Sequence, residues 1–70
     1  MSTENQVKVN GEPCTFPAGS TLLSVVRALD LAPERLAIEL DRVIVKRHLW
    51  ESTEVLSGAE IEMVMFVGGG

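Results

Sequence analysis

The residues best suited to chemistry stand together at the end of the sequence. Gly68, Gly69 and Gly70 follow directly on the apolar run Met63, Val64, Met65, Phe66 and Val67. Glycine loses more backbone freedom on ordering than any other residue and has no side chain to bury in return. Three in a row therefore add nothing to a core. They do supply a backbone without Cβ atoms, able to lie extended in a narrow channel, to reach about 10 Å past the last ordered residue and to present an unhindered terminal carbonyl carbon. The chemistry expected of such an end is acyl chemistry at the Gly70 carboxylate, with Gly68 and Gly69 threading it. An α-carboxyl titrates at about 3.3–3.7, so at neutral pH it is an anion and a poor electrophile. Reaction then requires an activating enzyme that converts it to a mixed anhydride. A passive, frayed end is the other reading that composition allows.

The remaining reactive side chains point elsewhere. His48 is the only histidine and follows Lys46 and Arg47 in an expected loop, where solvation is the expectation. No cysteine or second histidine stands at a metal-ligand spacing from it, so no metal site is expected. Cys14 is the only cysteine, two residues from Phe16 on one face of an expected strand, which suits a small buried hydrophobe better than a reactive thiol. Ser20, Thr21 and Ser24 have a structural use at a helix start. The glycine run is no phosphate cradle, because no helix follows it. What remains is the terminal carboxylate, and the expectation is a chain with no catalytic residues of its own, no bound cofactor and no metal.

Composition narrows the partners. Seventy residues make one domain, and a hydrophobic fraction of 46% with a net charge of -4 belongs to a globular chain. Ten acidic residues against six Lys and Arg, and a pI near 4.8, argue against nucleic acid, which needs clustered positive charge. A moderately acidic face could instead steer the chain to a basic docking surface. No apolar segment is long enough to span a bilayer, and residues 1–5 do not resemble a signal peptide, so the cytoplasm is the expected compartment.

The elements that position the tail can be read from periodicity. Residues 1–5 are expected to be a disordered lead, residues 6–67 one domain, and residues 68–70 a flexible tail. Gln6 to Asn10 alternate polar and apolar with Val7 and Val9 inward; Asn10-Gly11 then marks a tight hairpin into Pro13, Cys14, Thr15 and Phe16. Thr21 or Ser20 caps a helix running to about Leu31, with Leu22, Val25, Val26 and Leu29 as its apolar stripe. Thr21 and Ser24 hold capping-box positions, but serine replaces the usual Glu or Gln, so the reciprocal half of the box is expected to be weak. Leu36, Ile38 and Leu40 define a third strand, and Val43, Ile44 and Val45 a short edge strand. Lys46 to Trp50 read as a turn or short helical piece, and Ser57-Gly58 as a turn before a final strand over residues 60–67. This order implies an α+β fold, a mixed four- to five-stranded sheet with one main helix on one face. If the first and last strands pair in parallel, the last strand is central and the architecture is the β-grasp.

In such a sheet Ile61 and Met63 face the helix, and Glu60, Glu62, Val64 and Phe66 face outward. The outer face then turns from acidic to apolar as it nears the glycines. Contiguous apolar surface with an aromatic anchor suits a partner site, so Val64 and Phe66 are the candidate docking residues. Cover by the Trp50 segment, or a bulge turning Phe66 inward, is the alternative.

Taken together these features resemble the sulfur carrier protein of thiamine biosynthesis, the ThiS type of ubiquitin-like β-grasp protein. The resemblance covers residues 6–70. It is carried by Met65, Phe66, Val67, Gly68, Gly69 and Gly70, by Ile44, Val45, Lys46, Arg47, His48, Leu49 and Trp50, and by Asn10-Gly11 and Gly19 to Leu22. Two departures stand out. Lys46 replaces a usual proline, and Ser57, Gly58 and Ala59 replace an Asp-Gly-Asp, so a looser turn before the last strand is expected. The resemblance implies that a ThiF-type adenylating enzyme uses ATP to form an acyl-adenylate on Gly70. Sulfur from a cysteine desulfurase system then converts it to a thiocarboxylate, which donates its sulfur to thiazole synthase. The small subunit of molybdopterin synthase is a related alternative, although its tail usually carries prolines that are absent here. A plain β-grasp interaction module or protein modifier is the alternative of another class.

Overall fold

The computed structural model describes residues 3–67. Five strands form one sheet in the order β2-β1-β5-β3-β4, where β1 is Glu4–Val9, β2 Glu12–Pro17, β3 Leu36–Leu40, β4 Val43–Val45 and β5 Glu60–Met65. β5 is central. It runs parallel to β1, with Val9 opposite Ile61, and antiparallel to β3, with Leu36 opposite Met65. The one α-helix among the described residues, α1 (Leu22–Ala28), and a 3-10 turn over Arg47–Ser52 complete one core on one face of the sheet. This is the β-grasp architecture that the order of elements implied.

Two tight turns set the strand register. Asn10 and Gly11 both adopt positive φ, +50° and +83°, the mirror-image turn whose twist matches antiparallel strands. Asp41 and Arg42 repeat it between β3 and β4 at +50° and +72° without any glycine. Asp41 gains a compensating role there: its carboxylate accepts the Glu60 N–H at 2.9 Å, while its own N–H donates to the Glu60 carbonyl at 2.8 Å. The strand entering the tail is thus fastened at its first residue.

Helix α1 starts as expected and ends earlier. Thr21 Oγ1 accepts the Ser24 N–H at 3.2 Å and Ser24 Oγ accepts the Thr21 N–H at 2.8 Å, so both halves of the capping box form. The serine hydroxyl is shorter than a Glu side chain but reaches the cap nitrogen across one turn, and the expectation of a weak reciprocal half is corrected. The helix stops at Ala28 rather than near Leu31. Asp30 takes the left-handed conformation, φ +57°, the Asp30 N–H donates to the Arg27 carbonyl and the Leu31 N–H to the Val26 carbonyl, both at 3.1 Å. That is a Schellman end made with aspartate where glycine is usual.

The core contains Val7, Phe16, Leu22, Val25, Val26, Leu36, Ile38, Ile61 and Met63, the inward positions read from periodicity, together with Trp50, Val55 and Ala59. Leu29, the fourth member of the helix stripe, lies at its exposed end. Trp50 packs fully into the core and its indole N–H donates to the Val45 carbonyl at 2.8 Å, which satisfies the one polar atom it would otherwise bury. Val55 is brought in because residues 53–55 run beside the helix start: the Leu22 N–H donates to Thr53 and the Val55 N–H to Ser20. Cys14 is half-buried against the core beside Val9 and Leu31.

Other boundaries differ from expectation. Glu4 and Asn5, expected in a disordered lead, belong to β1 and pair with Pro17 and Phe16. Asn5 earns its order through its side-chain amide, which donates to the Val55 carbonyl at 3.0 Å. Met1 and Ser2 lie outside the described residues. The turn before β5 is also firmer than expected, since the Gly58 N–H donates to the Gln6 carbonyl at 2.8 Å and Ser57 Oγ to Asn5 Oδ1 at 3.2 Å. No helix among the described residues is long and apolar enough to cross a membrane.

Removing the cap hydroxyl tests the helix account. Thr21→Ala should cost about 1 kcal/mol, a fall in melting temperature of about 4–8 °C for a domain of this size; an unchanged thermal melt would show that the helix end is held by packing alone.

Candidate functional site

The site is the last third of β5 and the chain that leaves it. β5 alternates from Glu60 to Val64: Ile61 and Met63 are buried against the helix, and Glu60, Glu62 and Val64 are exposed on the opposite face, while Met65, back on the helix side at the end of the strand, is exposed as well. Phe66 continues this alternation just past the strand, because its N–H still donates to the Arg35 carbonyl at 2.8 Å. It is 58% exposed and Val64 59%, so the bulge that would turn Phe66 inward is not formed. Trp50 sits in the core on the helix side and covers neither of them. Val67 is 96% exposed and leads on to Gly68, Gly69 and Gly70, which lie outside the described residues.

Neighbouring strands extend the outer patch. Ala37 stands opposite Val64, and Ile44 on the edge strand stands opposite Glu39. Glu39 in turn faces Glu62 directly across β3 and β5. Like charges so placed repel, and the pair gives the apolar patch an acidic border that favours a partner surface bearing cations.

On its other, β1-facing edge β5 outruns its neighbour. β1 ends at Val9, and the Asn10 N–H makes the last main-chain bond, to the Ile61 carbonyl at 2.8 Å. The Asn10 side chain then takes over: Oδ1 accepts the Met63 N–H at 2.7 Å and Nδ2 donates to the Met63 carbonyl at 3.3 Å. Sequence reasoning assigned Asn10 to the turn alone. Nothing in the local pattern signals a contact that spans 53 residues of chain.

Other groups stay apart from this site. His48 is exposed in the 3-10 turn, and no three His, Cys, Asp or Glu side chains among the described residues are placed to share a metal ion. The arrangement therefore offers an apolar outer stripe with an acidic border, set on the central strand at the root of a glycine tail.

A mixed sheet grasping one helix, with parallel first and last strands and a tail leaving the central strand, defines a ubiquitin-like β-grasp protein. Residues 7–70 match the ThiS family, and the chain belongs to that family of small sulfur carriers. The crystal structure of a thiamine biosynthesis protein (ThiS) from Geobacter metallireducens is similar with a TM-score of 0.80 and 29% identity, over 93% of this chain and 99% of that one. The solution structure of a thiamine biosynthesis protein from the same organism gives 0.73 at 29% identity, over 93% and 87% of the two chains. A thiazole synthase of Magnetococcus marinus is 35% identical over 65 residues, which are 93% of this chain but only 20% of that protein's length. An uncharacterized protein ycf40 of Porphyra purpurea is 31% identical over 64 residues, 91% of this chain and 90% of its own.

The two faces of β5 should respond differently to truncation. Phe66→Ala is expected to change stability by less than about 1 kcal/mol, whereas Ile61→Ala, at a fully buried position, should cost about 2–5 kcal/mol. Urea titration of both variants checks this, and a large loss for Phe66→Ala would place that ring in the core.

Proposed function

We propose that this chain carries sulfur for thiazole formation in thiamine biosynthesis, on its own C-terminus. The observation that carries the reading is the exposed Val64 and Phe66 stripe on the central strand, which runs directly into the glycines. Membership of the ThiS family and likeness to a thiamine biosynthesis protein and to part of a thiazole synthase support it.

In this reading a ThiF-type adenylating enzyme grips the outer face of β5 through Val64 and Phe66, and cations on its surface answer Glu39 and Glu62. Gly68 and Gly69 thread the activating site. The Gly70 carboxylate attacks the α-phosphorus of ATP, pyrophosphate leaves, and an acyl-adenylate results. A desulfurase hands on cysteine sulfur as a persulfide; that sulfur replaces AMP on the acyl carbon, a thiol supplies the two electrons that free it from its persulfide partner and is itself oxidised to a disulfide, and a thiocarboxylate remains. Sulfur is a stronger nucleophile than the oxygen it replaces at neutral pH, so the terminus changes from inert anion to sulfur donor. Thiazole synthase is the acceptor. The domain serves throughout as a handle recognised by each enzyme in turn, and the chemistry is theirs.

Intact-mass measurement after incubation with ATP, the adenylating enzyme and a sulfur source tests this. The chain should gain the difference between one sulfur and one oxygen atom, with the gain confined to Gly70 on fragmentation. A chain lacking Gly69 and Gly70 should show no gain while melting as the full chain does. No mass change in the full chain sinks the carrier reading; a thiocarboxylate that thiazole synthase does not consume sinks the thiazole destination alone.

A further inference from the structure

Asn10 stands where β1 stops and β5 does not. The tight turn it shares with Gly11 requires a residue that accepts positive φ, and glycine or aspartate would satisfy that backbone need as well as asparagine. Only asparagine brings a carbonyl and an amide N–H together on a side chain of this length. Both are used on a single residue, Met63, whose N–H and carbonyl would otherwise face the missing continuation of β1. The side chain thus acts as one more residue of strand, placed by a backbone that has already turned away.

We propose that Asn10 is a positioning residue for acyl activation of Gly70: by clamping Met63 it holds the outgoing half of β5, and with it Val64 and Phe66, in the arrangement the activating enzyme binds. This rests on the carrier reading above. Among the described residues, Met63 is where β5 last has a hydrogen-bonded neighbour on the β1 side while β3, with Ile38 opposite, still flanks it on the other. Beyond it Val64 pairs only with β3, opposite Ala37, and the final main-chain bond among the described residues is the one from Phe66 to Arg35. Without the clamp, one-sided support begins at Met63 and the docking stripe must be ordered when the enzyme binds. Ordering on binding is charged to affinity, not to the chemical step.

The test uses Asn10→Gly, which keeps the left-handed turn and removes the clamp, and Asn10→Asp, which keeps the acceptor for the Met63 N–H and loses the donor. Thr21→Ala serves as a control that destabilises the fold at the helix cap, where the lost hydrogen bond is to Ser24 and not to β5. In carrier-dependent ATP–pyrophosphate exchange, at a temperature where all variants are folded, Asn10→Gly should raise KM for the carrier about three- to tenfold with kcat within about twofold. Asn10→Asp should fall between it and the parent, and Thr21→Ala should leave KM unchanged. Amide exchange at Met63 should quicken in Asn10→Gly while that of Ile61 does not. Equal KM for Asn10→Gly and the parent, or an equal rise in Thr21→Ala, overturns the positioning role. A parent chain that supports no exchange with its activating enzyme overturns the carrier reading instead, and amide exchange at Met63 still decides whether the clamp exists.

Discussion

Everything in this domain is arranged around a central strand that must be both core and exit. β5 buries Ile61 fully and most of Met63 on one face, carries the exposed stripe on the other, and leads to the glycines. A strand at a sheet edge could present a tail more simply, but its unpaired edge would invite unwanted pairing and its hold on the tail would be weak. Placing the exit strand in the middle, parallel to β1 and antiparallel to β3, removes both problems. It creates another: the exit strand must outrun β1 to leave the sheet. The Asn10 side chain resolves that beside Met63, as the Asp41 side chain fastens the entry of β5.

The two faces of the sheet are separated in the same way. The helix face holds the core cluster, and no buried side-chain nitrogen or oxygen among the described residues lacks a partner. The outer face holds the repelling Glu39 and Glu62 pair and the uncovered Val64 and Phe66. These outer features are individually unfavourable in water, and neither assists folding. An account based on stability alone has no place for them, whereas a docking surface uses both, the apolar part for contact area and the acidic border for orientation.

Periodicity made most of the fold legible, because the core is built from residues whose alternation is simple. Val7 in β1, Ile38 in β3, Ile61 and Met63 in β5, and the Leu22, Val25 and Val26 stripe could be placed inside before any coordinates, and the Asn10-Gly11 pair marked the hairpin. The two backbone features that escaped share one physical cause, the tolerance of Asn and Asp for the left-handed conformation. Asp30 ends the helix where no glycine announced an end, and Asp41 with Arg42 makes a turn usually written with glycine. Val55 was missed for a different reason: it lies in an irregular segment, where burial follows from the path of the loop and leaves no period. At the site, exposure of Val64 and Phe66 was legible from alternation. The clamp on Met63 was not, because a side chain replacing a backbone carbonyl across the sheet leaves no trace in local sequence.

The same division explains why so small a domain can serve as a carrier. A group that several enzymes modify, as proposed for Gly70, must be reachable by each of them, so it cannot be enclosed by the chain that bears it. Seventy residues have little stability to spare, and a strained or polar interior site would draw on it. The proposed chemistry at Gly70 lies outside the described core, past the Phe66 hydrogen bond to the Arg35 carbonyl, and so leaves that core apolar and fully satisfied. The remaining requirement is directional: the tail must leave the sheet from a place that a partner can find. In the proposed reading the apolar stripe on the exit strand marks that place, and the hydrogen bonds at Glu60, Met63 and Phe66 hold it in register with the sheet.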